Sequence, residues 1–257
     1  MPKENEINSI LNDLKSLAKL LDKYKFKENG RIELTRLEEV ISDVESKLGA
    51  KNRKKMVFAT KNEGIAFHTL TTGMNANPAT NKQKLDLYLE ISYEYNSDGV
   101  AVEEMIKQYN LNLHINGVQK NNPSNHDFGW HLDGFEEMKH DVNRKKKSKK
   151  NNKLQFIHPY YHFHAGGKAI AGKGPGSLML LSSPRLPHPP MDIVLAVNFV
   201  ICHFYSTHEV RFSEEMGIFT DDDYKQLVNR SAMRIYKPYY EEIKDHIINS
   251  KYVPLLP

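Results

Sequence analysis

The sequence predicts an α+β fold: an N-terminal helical hairpin, a central mostly antiparallel β-sheet, and C-terminal helices packed on the sheet. Three observations predict it. Apolar residues recur at helical spacing in the first fifty residues, alternate at strand spacing through the middle, and return to helical spacing after Pro184. The order is therefore helices, strands, helices, with no βαβ alternation and no internal repeat.

The hairpin rests on two stripes. Ile7, Ile10, Leu14, Leu17, Leu21 and Tyr24 step by three and four, as do Leu34, Leu37, Ile41, Val44 and Leu48. Asn29 and Gly30 separate them as a stop and turn. Such stripes suit packing within the chain, or an arm for a protein partner or self-association. Beyond residue 50 the pattern is strand-like. Met56 to Thr60 and Gly64 to Thr71 read as a hairpin around Asn62 and Glu63. Leu85, Leu87, Leu89, Ile91 and Tyr93 share one face of a half-buried strand, with Asp86, Tyr88, Glu90 and Ser92 on the other. Val100 to Tyr109 reads as a short helix. Leu111 to Val118, Phe128 to Phe135, Leu154 to Ala165 and Ser177 to Ser182 read as strands. Pro189 and Pro190 start an apolar helix through Phe204. Thr220 to Asp223 caps a last helix, expected to break or kink at Pro238. The chain divides into a hairpin over 1–50 and a main domain over 51–257.

Composition narrows the class. The length of 257 residues allows a core without covalent staples, and the single cysteine, Cys202, excludes an internal disulfide and a cysteine zinc motif. The start of the chain lacks the basic and apolar pattern of a secretory signal. The longest apolar-rich stretch, Ile193 to Phe204, falls short of the roughly 20 residues that span a bilayer. A cytoplasmic protein with no membrane association is expected. The net charge of +4 is uneven. Arg144, Lys145, Lys146, Lys147, Lys149 and Lys150 supply six positive charges, and without them the net is −2. A flexible basic loop near 139–153 is expected, either solubilising or in contact with nucleic acid.

The densest chemistry lies in His158, His162 and His164. On a strand these share one face with Tyr160, while Pro159, Tyr161, Phe163 and Ala165 form an apolar back. His131 and Asp133 likewise oppose Trp130 and Leu132. Were the two strands neighbours, His131, Asp133, His162 and His164 would form a metal set suited to zinc, manganese or iron. His158, His162, His164 and His188 are also acid–base candidates. Histidines on a sheet can equally be structural.

Two cationic features adjoin this block. Gly167 to Lys173 matches the opening of a phosphate-binding loop, but Gly174 replaces the required Ser or Thr and a strand-like run follows. Lys168 and Lys173 remain candidate anion contacts. The proline-rich segment from Ser183 to Asp192 would present Arg185 and His188 at fixed angles, with Arg185 as a carboxylate or phosphate clamp or as part of a rigid corner. Two functions follow. One is an enzyme with a histidine-rich metal or acid–base site for an anionic substrate, with phosphoester hydrolysis of nucleic acid or metal-assisted oxidation as its chemistry. The other is a non-enzymatic subunit that binds a protein partner and nucleic acid. If the basic run contacts nucleic acid, deleting residues 144–150 should flatten the salt dependence of that affinity in filter-binding titrations; an unchanged slope would exclude the contact.

Overall fold

The computed structural model describes residues 6–27, 31–48, 54–61, 64–68, 84–119, 122–133, 161–165, 186–205 and 217–249. Helices α1 (Glu6–Lys23) and α2 (Thr35–Leu48) come first. Strands β1 (Lys55–Ala59), β2 (Ile65–Phe67) and β3 (Lys84–Asn96) follow, then the single turn α3 (Val102–Met105). Strands β4 (Ile106–Gln119), β5 (Asn122–Asp133), β6 (His162–Ala165) and β7 (Leu186–Pro187) complete the sheet. Helices α4 (Ile193–Phe204), α5 (Gly217–Thr220) and α6 (Asp222–Asn249) end the described chain. The fold is α+β, with terminal helices and a central antiparallel sheet, as the periodicities predict.

The strand order is β1-β3-β4-β5-β6-β7, with β2 also on β3. Strand alternation gives this sheet two unlike faces. Leu87, Leu89, Ile91, Tyr93 and Tyr95 of β3, Leu111 and Leu113 of β4, and Leu132 of β5 are buried on one face. Phe163 of β6 continues that face and packs on Phe199 of α4. From α1, Glu6 accepts a hydrogen bond from the Tyr95 hydroxyl, and Tyr239 of α6 packs on Tyr161. The α1 stripe is spent on this core, with Ile7, Ile10, Leu14, Leu17 and Leu21 all buried. The opposite face carries Asp86, Tyr88, Glu90 and Ser92, then Asn110, Asn112 and His114, then His131 and Asp133, then His162 and His164.

Several local expectations change. The described residues within 56–71 show no hairpin; β1 and β2 both pair antiparallel with β3, end to end along it. Thr60 explains the interruption. Its backbone N–H donates to Ile91 O, and its hydroxyl accepts from Ile91 N–H, so it closes the β1 ladder. Gly64 then re-enters at φ +85, where an added Cβ would lie 2.3 Å from Leu89 O. The helix expected over 100–109 is a single turn, and Ile106 already belongs to β4. The three-residue step from Ile106 to Tyr109 comes from a β-bulge. Lys107 pairs with Glu94 and Asn110 with Ser92, with Gln108 left-handed at φ 52 between them. Both Ile106 and Tyr109 can thus face the core while Asn110 and Asn112 keep to the polar face.

Strand β5 begins earlier than the sequence suggests, because the long β4 ladder carries pairing back to Asn122. Only 161–165 of the expected 154–165 strand, with β6 at His162–Ala165, and none of 177–182 lies within the described residues. Leu186 and Pro187, expected in a connector, pair with β6 at the end of the strand order among the described residues. Helix α6 runs through Pro238 rather than ending there. Among the described residues, no helix is long and apolar enough to cross a membrane.

Polar contacts fix the helical layer. Asp192 caps α4 by accepting from Leu195 N–H at 3.0 Å. It also accepts from Ser231 of α6 at 2.5 Å and pairs with Arg234 at 3.5 Å. Arg234 reaches on to Asp13 of α1 at 2.5 Å. Burial raises the Asp192 carboxyl above its ordinary range, and the Arg234 charge opposes that rise. At the other end, Asp221 caps α6 by accepting from Asp223 and Tyr224 N–H groups. Its second oxygen accepts from Lys23 and Tyr24, each at 2.6 Å, and these bonds hold its carboxyl well below the usual range.

Two predictions follow from these ties. Arg234→Ala leaves the buried Asp192 carboxylate without its guanidinium and Asp13 with Arg230 alone, and should cost about 3–5 kcal/mol in urea unfolding at neutral pH. Asp221→Asn keeps a capping oxygen but removes the charge. A carboxylate held below its unfolded value stabilises the fold at neutral pH and loses that contribution as pH falls. The variant should therefore melt below wild type at pH 7, with the gap narrowing below about pH 4 in thermal scans.

Candidate metal centre

The site grows from the register of three strands. Across β4, β5 and β6, Asn112 pairs with His131 and His131 with His164. In the adjoining cross-strand set, Asn110 pairs with Asp133 and Asp133 with His162. Directly opposed residues in an antiparallel ladder point to the same face. Four potential ligands thus meet on the polar face, while Trp130 stacks on Phe163 behind them with ring centroids 5.0 Å apart.

Asp133, His162 and His164 each offer a ligand atom, and these atoms lie within 4.8 Å of one another. The three could hold a metal. Metal–ligand bonds of about 2.0–2.2 Å would draw them together by about an ångström, a shift within reach of side-chain torsions. His162 Nε2 lies 3.9 Å from Asp133 Oδ2. The His162 and His164 rings stack with centroids 5.1 Å apart. Asp133 and His162 are buried, and His164 is half-buried.

His131 stands differently. Its Nε2 contacts Asp133 Oδ1, and its Nδ1 lies 2.5 Å from Asn112 Oδ1. Asn112 Nδ2 in turn reaches Glu90 Oε2 and Asn110 Oδ1, each at 3.4 Å. Burying a carboxylate and imidazoles is costly unless neighbours supply polar partners, and this network supplies them to His131 and Asp133. The contributions of Asn112 and Glu90 went unread in the sequence. The signal was present as the polar half of the alternation in residues 110–114.

His188 is elsewhere. It follows β7 on the apolar side, against Phe163 and Phe199, with Nδ1 2.6 Å from Pro189 O. Burial lowers its basicity. The structure brings together His131, Asp133, His162 and His164, and it sets His188 behind the sheet. His158, Arg185, Lys168, Lys173 and the basic residues Arg144, Lys145, Lys146, Lys147, Lys149 and Lys150 lie outside the described residues. The chain matches no family model, no curated protein and no solved structure.

Proposed function

We propose that this protein is a metal-dependent hydrolase of phosphoesters, with Asp133, His162 and His164 binding one divalent ion. The convergence of those three side chains, two buried and His164 half-buried, supports the metal. Two imidazoles and one carboxylate suit zinc, manganese or iron, and leave positions for water and substrate. Sequence supports the anionic substrate. The 134–161 segment, joining β5 to β6, carries Arg144 to Lys150, and the 166–185 segment, joining β6 to β7, carries Lys168, Lys173 and Arg185. Cations in both connections from the site strands favour a phosphate over a neutral substrate.

A metal held by Asp133, His162 and His164 would lower the pKa of a bound water toward neutrality. In the hydrolysis this would support, the water oxygen bonds to phosphorus as the P–O ester bond breaks, and the proton that the water gives up goes to the leaving oxygen. The pairing of His162 with Asp133 also favours a second reading, in which His162 moves that proton as an acid–base group without metal.

Calorimetric titration of the metal-free chain with zinc, manganese and iron(II) separates the readings. One equivalent should bind, and His162→Ala or His164→Ala should weaken it by more than about 100-fold, since they remove ligands themselves. Hydrolysis of bis(p-nitrophenyl) phosphate should stop on chelation and return with metal. Activity without metal would favour the acid–base reading. A chain that binds no metal and shows no hydrolysis would sink both readings and favour the non-enzymatic subunit.

A further inference from the structure

We infer that His131 is a positioning residue that fixes Asp133 as a one-oxygen ligand, presenting Oδ2 to the metal. This deepens the metal reading above and rests on it. The observation is the division of labour at the Asp133 carboxylate. Oδ1 is engaged by His131 Nε2, whereas Oδ2 faces His162 Nε2 at 3.9 Å. His131 cannot swing toward the metal without leaving Asn112, whose Oδ1 is 2.5 Å from its other ring nitrogen. Asn112 is itself buried and oriented by Glu90 and Asn110. Three strands thus brace one carboxylate oxygen.

The physical consequence concerns denticity. A carboxylate free to rotate can grip a metal with both oxygens and fill a position that water or substrate would take. A carboxylate with one oxygen held by an imidazole offers only the other. Partners that orient a ligand in this way commonly change metal affinity by about 10–100-fold. His131, placed among the candidate ligands by sequence, therefore serves the site through Asp133 rather than by binding metal.

Cobalt(II) is a suitable probe, because its visible spectrum is intense with four ligands and weak with five or six. The full chain is titrated with cobalt(II) as wild type, His131→Ala, His131→Gln, Asn112→Leu and Asp133→Ala, with circular dichroism to confirm folding. His131→Ala should still bind one equivalent, about 10–100-fold more weakly, with a fainter spectrum as Asp133 takes both oxygens to the metal. His131→Gln, which can still donate to Oδ1, should recover part of the affinity and the spectrum. Asn112→Leu, which leaves His131 in place but unbraced, should show a smaller shift in the same direction. It carries the comparison if His131→Ala does not fold. A His131→Ala chain with wild-type affinity and spectrum would overturn the positioning role and leave the metal reading intact. Loss of binding as complete as in Asp133→Ala would make His131 a ligand and also overturn it. A wild-type chain that takes up no cobalt would remove the metal reading, and this inference with it.

Discussion

The register between β5 and β6 is the constraint on which the polar face depends. Leu132 opposes Phe163, and Asp133 opposes His162. Side-chain direction has a period of two, so a slip of one residue would place a core residue beside a polar one at every step. Phe163 would leave Phe199, and an imidazole would enter the apolar layer in its place. Fully burying an aromatic or leucine side chain contributes about 1.5–3 kcal/mol, and an unpaired polar group in that layer costs a comparable amount. The packing of Trp130, Leu132 and Phe163 on one side thus excludes a one-residue slip and keeps His131, Asp133, His162 and His164 together on the other. No metal is required to choose that register.

The bulge in β4 extends the same logic. A strand leaving α3 with Ile106 in the core would, by strict alternation, turn Asn110 and Asn112 inward. Gln108 takes a left-handed conformation, at some backbone cost, and resets the phase. The result is that Asn112 meets His131 on the polar face and Leu111 meets Leu132 on the apolar one. One irregular residue aligns the bracing strand with the strands that carry the histidines.

Legibility in the sequence followed this division. The alternation of β3 and the stripe of α1 could be read because each is set by burial of one face. The opposition of His131 and Asp133 to Trp130 and Leu132 could be read for the same reason, as could the apolar back of His162 and His164. What could not be read depends on partners distant in sequence. Thr60 ends β1 through Ile91, and Gly64 fits against Leu89, so the interruption that resembled a hairpin turn is decided by β3. Pro187 enters a strand because β6 has an edge to pair. The bond from Asn112 to His131 spans two strands, and Asp192 meets Arg234 across 42 residues. Alternation shows which way a side chain points, but not which side chain from another strand or helix it will meet.

The two polar networks lie on opposite sides of the β-sheet, and their chemistry differs accordingly. Asp13, Arg234, Asp192 and Ser231 sit in the helical layer, where carboxylates balance a guanidinium and a capped helix end. Arg230, 2.9 Å from Asp13, supplies the second guanidinium, so the charges compensate one another and their main effect is on how α1, α4 and α6 assemble. On the other face one carboxylate serves several imidazoles: Asp133 meets His131 and His162, His162 lies against His164, and His131 crosses His164 at 80°. Gathering basic rings around a single carboxylate contributes less to folding than pairing each with an acid would. It does concentrate lone-pair donors. The arrangement suits a site that gains most when a cation joins it, whereas the helical network is already complete. A change in one network should leave the other's energetics nearly additive, because a layer of core residues separates them.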